Sequence, residues 1–317
     1  MENLTKVVVI YGGSSAEREI SLISGAAVQN SLKEEGIQSD LLDFISLQKL
    51  PSLKEYDIAF IALHGYEGEG GDLQKFLDKN NTKYTGSGQF SCFNTWNKKL
   101  CKEILSSNHI ATPTWLSVKN LHETFLRDGL ENLYNYVVSK IGNEFFIKPS
   151  EDGSSIDIFK ISNINDFKNA IEKCSNPNRE FVFEKSVAGK EITVSILDGQ
   201  CLPPIEINTT NKFYDYDAKY ISNNTSLSES SLNDSELQDI KNIALEAFNA
   251  LDCFGWARID FMQDGDGRFF IIEINTAPGM TSHSCVPMAA KLKNISCLLY
   301  TSPSPRDVEE SRMPSSA

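Results

Sequence analysis

The chain has 317 residues, 40% hydrophobic and 23% charged, so two or three cores of an ordinary soluble globular protein are expected. Its formal net charge of -13 argues against nucleic acid or an anionic membrane as partner, since both require a basic surface. No apolar run reaches membrane-spanning length, the charged start has no signal-peptide core, and the seven cysteines form no C-x-x-C pair; a cytoplasmic protein with reduced thiols is expected.

Lys6 to Tyr11 is a continuous apolar run of the buried parallel-strand type. A Gly12-Gly13-Ser14-Ser15 turn follows, then a helix with Ile20, Ile23 and Ala27 expected on its buried face. Ser14 and Glu17 match the S-x-x-E capping box, so Glu17 has a structural reading as a cap beside any functional one. Asp57 to Leu63 predicts another buried strand, ending at His64 in a loop with four glycines, before a helix over Asp72 to Asn80. Both polar loops thus sit at carboxyl ends of parallel strands, where open α/β sheets bind ligands.

A second module begins near Trp96 with a helix from Asn97 to Leu105. Phe145 to Pro149 is a strand ending in Lys148 and the small polar loop Ser150 to Ile156, fitted to place positive charge and N–H and O–H donors around a phosphate. The plain alternative is a solvated lysine and a simple connection. Phe181 to Val187 is an apolar strand, Gly189 to Leu197 starts a third module, and Phe213 to Tyr220 is an aromatic-charged segment, either a substrate cover or an exposed strand. Ser235 to Leu251 is amphipathic, with Leu237, Ile240, Ala244, Ala247 and Phe248 on one side.

Trp256 to Met262 and Phe269 to Ile274 flank a Gly/Asp-rich turn and predict a hairpin. Arg258 and Asp260 share one face of its first strand, Glu273 and Asn275 one face of its second; an even-numbered loop sets Asp260 opposite Glu273. Two carboxylates and an amide oxygen suit Mg²⁺, although a wet-faced surface hairpin would look the same. Asn275 to Thr281 leaves through a Pro-Gly turn whose N–H groups suit an anion or oxyanion.

The stretches GGSSAEREISLISG, HGYEGEGG, Lys-Pro-Ser-x-x-Gly-Ser-Ser, EKSVAGKEIT, FYDYDAKY and RIDF…EINTAPGMTSHS, in this order, resemble the D-alanine:D-alanine ligases of the ATP-grasp superfamily, from about Lys6 to about Ile295. The resemblance implies an α/β protein of α+β modules: a three-domain ATP-grasp architecture with an N-terminal Rossmann-like parallel sheet. Its expected ranges are 1–95 for substrate binding, 96–187 for the central ATP-grasp module and 188–295 for the catalytic one. It implies that ATP phosphorylates the carboxylate of one D-alanine and the amine of a second attacks the acyl phosphate, for peptidoglycan precursor synthesis.

By the same resemblance Asp260, Glu273 and Asn275 hold two Mg²⁺ ions, with Mn²⁺ as a substitute. Lys98, Lys148 and Lys219 meet the nucleotide phosphates, and Glu184, Val187 and Glu191 the nucleoside. Arg258 and the Gly279 N–H stabilise the oxyanion; Glu17, in a hydrogen-bonded set with Ser154 and Tyr220, holds the first D-alanine's ammonium. His64 and Tyr214 lie by substrate, Ser284 receives the second carboxylate, and the Tyr220 segment favours D-alanine over D-lactate as acceptor. The resemblance also suggests a homodimer.

Three departures from the family's pattern bear on activity. Gly70 replaces a carboxylate, and Asp157 is expected to bring negative charge beside the phosphate-covering loop. From Cys297 the expected final helix gives way to a proline-bearing polar stretch, so 296–317 is read as a non-native tail resembling adapter read-through. The competing readings are another ATP-grasp carboxylate:amine ligase, D-lactate included, and a nucleotide-binding pseudoenzyme.

Overall fold

The computed structural model describes residues 6–153, 156–209, 225–281 and 284–295. The expected sites Ser154, Tyr214, Lys219 and Tyr220, and the tail 296–317, lie outside them. β1 (Lys6–Gly12) is the centre of a parallel sheet ordered β2-β1-β3, with β2 at Gln38–Phe44 and β3 at Ile58–Ile61. The apolar runs of β1 and β3 are those the sequence marks. β2 escapes it because an edge strand reading QSDLLDF has no continuous apolar run.

α1 (Arg18–Glu34) turns a different face inward from the one expected. Ile23 is 55% exposed, while Ser21, Ser24, Gly25, Val28 and Leu32 are buried. Close approach decides this: a Cβ on Gly25 would lie 2.6 Å from Tyr11 Cβ, so only the small-residue face fits against β1. The buried Ser21 hydroxyl is satisfied by donating to the Ala62 carbonyl at 2.7 Å.

After β3 come α2 (Tyr66–Glu69), α3 (Asp72–Lys79), α4 (Gln89–Trp96) and α5 (Lys98–Ser107). The next sheet is antiparallel, ordered β4-β7-β5-β6: β4 (Trp115–Val118), β5 (Phe145–Pro149), β6 (Phe159–Ile161) and β7 (Phe181–Lys185). α6 (Leu121–Asp128), α7 (Leu130–Ile141) and α8 (Ile164–Lys173) pack on it through Leu121, Leu133, Val137, Phe167 and Ile171.

The third sheet runs β11-β10-β8-β12-β13, with β9 against β8. Its strands are β8 (Gly189–Leu197), β9 (Gln200–Cys201), β10 (Ile205–Asn208), β11 (Ser226–Glu229), β12 (Trp256–Asp264) and β13 (Phe269–Asn275). α9 (Asp234–Ala250) buries Ile240, Ala244, Ala247 and Phe248 as expected, and Asn233 with Glu236 forms its capping box. α10 (Cys285–Leu292) closes the described chain. The first and third sheets share a core, in which Val7, Val9 and Val28 meet Trp256, Met280 and Val286. Among the described residues no helix is long and apolar enough to cross a membrane.

Candidate active site

β12 and β13 bring the four polar residues together. Asp260 lies opposite Glu273 and Arg258 opposite Asn275, so their side chains share a face. The expected even loop is not how this comes about. Next to the turn the pairs are Gln263–Phe269, Met262–Phe270 and Phe261–Ile271, an odd-numbered loop, and a bulge beyond Phe261 restores the register. The bulge has a second effect: Ile272 and Glu273, which a regular strand would point apart, both line one cavity.

Asp260 is 5% exposed and accepts hydrogen bonds from Arg258 Nε (2.9 Å), Arg258 Nη2 (2.8 Å) and Thr193 Oγ1 (2.7 Å). Lys98 Nζ stands 3.3 Å from Glu273 Oε1 and donates to the Asp152 carbonyl at 2.6 Å. Asn275 Oδ1 accepts from the Ala277 N–H at 3.0 Å. Two hard carboxylates and an amide oxygen on one face fit Mg²⁺, which keeps several waters and shares its shell with phosphate oxygens. Among the described residues no group of three His, Cys, Asp or Glu is placed to hold a metal ion by itself.

A cavity of about 450 Å³ separates the four-stranded sheet from the third sheet. Lys148, Glu184, Val187 and Glu191, the expected nucleotide contacts, line it together with Asp260 and Glu273. Lys148 Nζ donates to Glu184 Oε1 at 2.5 Å, and Lys102 contacts the other carboxylate oxygen. Burial pushes the Glu184 carboxyl up, but the two ammonium groups outweigh it and hold it ionised below the usual range.

A second cavity of about 50 Å³ is lined by Glu17, His64, Glu69, Trp96, Arg258 and Gly279, and again by Glu273. Glu17 stands at the N-terminal boundary of α1 and its side chain caps nothing. The capping-box reading is therefore corrected: Ser14 Oγ donates to Glu67 Oε1 at 2.6 Å and its N–H to Oε2 at 2.7 Å, fastening the two glycine loops to each other. Glu17 Oε2 lies 3.7 Å from where a Cβ on Gly153 of the 150–156 loop would sit and 3.9 Å from where one on Gly65 of the His64 loop would.

His64 is 6% exposed, and burial lowers its pKa, leaving a neutral ring. Its Nδ1–H donates to the Ala277 carbonyl at 2.9 Å and Nε2 accepts from Ser24 Oγ at 3.2 Å, so the ring joins the first module to the Pro-Gly turn after β13. Glu69, in the same lining, is pushed up to about 8 by burial first and then by Glu17. Past the turn, Ser284 Oγ accepts from the Thr281 N–H at 3.2 Å and stands 2.7 Å from where a Cβ on Gly279 would be.

Asp157 shares the Arg179 guanidinium with Asp152, so one of the two negative charges is offset. Arg179 Nη2 donates to Asp157 at 2.5 Å, Ser175 Oγ at 2.5 Å, and the other Arg179 nitrogen holds Asp152 at 2.6 Å. At Gly70 an added Cβ would lie 2.5 Å from the Tyr66 ring, so this glycine makes room for Tyr66. The sequence reading missed four residues of the site: Lys102, Thr193, Glu69 and Trp96. Lys102 follows Lys98 by four in α5, a spacing that places both on one helix face and was the available signal.

The family described as D-ala D-ala ligase C-terminus matches residues 104–298. A D-alanine--D-alanine ligase of Saccharophagus degradans is 38% identical over 296 residues, covering 92% of this chain and 90% of that protein. The structure of D-alanine--D-alanine ligase from Bacillus anthracis complexed with ATP superposes with a TM-score of 0.80 at 29% identity, over 94% of this chain and 95% of that one. The VanG D-Ala:D-Ser ligase from Enterococcus faecalis has a TM-score of 0.80 at 22% identity, over 94% and 97% of the two chains, a likeness of fold.

Proposed function

The chain belongs to the D-alanine--D-alanine ligase family, and we propose that it joins two D-alanines with ATP, for peptidoglycan precursor synthesis, at the meeting point of its two cavities. One observation carries the reading: Glu273 lines both cavities, with Asp260 opposite it on the paired strand. A group transferred between the two spaces would pass this edge.

ATP fits the large cavity, its phosphates toward Lys148 and Lys98. The first D-alanine fits the small one, its ammonium against Glu17. A carboxylate oxygen of that D-alanine attacks the γ-phosphorus and ADP departs; the amine of the second D-alanine then attacks the acyl carbon, and the C–O bond to phosphate breaks. Arg258 and the Gly279 N–H face the oxygen that becomes negative, and Ser284 takes the second carboxylate. Asp260, Glu273 and Asn275 would hold Mg²⁺, which when bound supplies charge neutralisation for the phosphoryl group. Ser154, Tyr214, Lys219 and Tyr220 complete the proposal by resemblance, with D-alanine rather than D-lactate as acceptor.

A cytoplasmic location and a homodimer belong to the same reading. The test is phosphate release from ATP with D-alanine, L-alanine or D-lactate at neutral pH. Release that requires D-alanine is expected; release indifferent to it would overturn the reading.

A further inference from the structure

The wall of the large cavity contains three charges where two would balance. The Glu184 side chain on β7 is 2% exposed, with Lys148 of β5 on one carboxylate oxygen and Lys102 of α5 on the other. Lys148 and Glu184 line the cavity, whereas Lys102 stands behind them, 3% exposed, donating to Thr112 Oγ1 at 2.6 Å. Thr112 Oγ1 in turn donates to the Ile271 carbonyl of β13 at 2.8 Å. Lys102 is thus fixed on the protein side of the wall, out of a ligand's reach.

We propose that Lys102 is a positioning residue for the nucleotide: it is the standing counter-ion of Glu184, which leaves the Lys148 ammonium as surplus positive charge for phosphate. The proposal rests on ATP occupying the large cavity. Were Lys148 the sole partner of Glu184, turning it toward a phosphate would strand a buried carboxylate, a change that costs more than an exposed pair returns. With Lys102 in place the carboxylate keeps a partner in both states. α5 serves both carboxylates from one face, Lys98 toward Glu273 and, one turn on, Lys102 toward Glu184.

The test is a double-mutant cycle in the full chain, read as KM for ATP, kcat and direct binding of a non-hydrolysable ATP analogue. K102M should raise KM for ATP by about tenfold or more with kcat within about threefold, and K102R should restore most of the affinity. In the E184Q background, where no carboxylate competes for Lys148, adding K102M should change KM by less than about twofold. An equal effect of K102M in both backgrounds, or a loss confined to kcat, would overturn the proposal. If K102M alone does not fold but E184Q/K102M folds and binds as E184Q does, the counter-ion role stands; if neither folds, Lys102 holds the fold and the proposal fails. A wild-type chain that releases no D-alanine-dependent phosphate would instead defeat the ligase reading.

Discussion

Residue by residue, the proposed reaction separates groups that carry charge to it from groups that adjust that charge. Glu273 and Asp260 belong to the first kind, and E273Q or D260N should cut kcat by about a hundredfold or more in the phosphate-release assay. E273Q should leave the melting temperature nearly unchanged, whereas D260N should lower it, because Arg258, its side chain 14% exposed, loses that carboxylate partner. Glu69 belongs to the second. Its carboxyl is raised to about 8 in the folded chain, whereas an unfolded glutamate ionises near about 4.3. The native state therefore keeps a proton that the unfolded chain has lost, so this group makes stability fall as pH rises from about 4.3 toward 8, and adds no slope below that window. E69Q should flatten that fall; denaturation midpoints at pH 5 and pH 8 that drop equally in wild type and variant would contradict the assignment.

At the scale of elements, legibility followed how far each element's pattern is set by its own residues. β1 and β5 are apolar runs, β8 alternates, and β12 and β13 are strand-like runs interrupted by polar groups, each with turn signals beside it, and their sequence patterns place them within a residue or two. β2 was lost because its sheet position, not its composition, makes it a strand. The facing of Asp260 to Glu273 was legible, but the bulge that produces it was not, because alternation alone cannot register one extra residue. Lys102 and Thr193 went unseen for a related reason: each acts on a carboxylate brought from a distant strand. α1 shows the opposite failure, an apolar face that is legible and wrong. Its true contact demands small residues, so G25L should destabilise the chain by about 1–3 kcal/mol in urea unfolding through overlap with Tyr11, whereas I23S should be nearly neutral.

For the whole molecule, the first and third sheets share one core and are tied by the His64–Ala277 hydrogen bond, while the four-stranded sheet has a core of its own. The large cavity opens between that separately cored sheet and the third sheet, so a nucleotide bound there bridges two units with few common apolar contacts. ATP at about 100 times its dissociation constant should stabilise the chain by about 2.7 kcal/mol, seen as a raised melting temperature without D-alanine. In the proposed reaction the two cavities hand a phosphoryl group to a D-alanine carboxylate and then exchange it for an amine. It is tested most directly by supplying D-alanine labelled with ¹⁸O in its carboxylate and analysing the products. Dipeptide and phosphate should form one to one, with one labelled oxygen in each phosphate; unlabelled phosphate, or phosphate without dipeptide, would contradict the account.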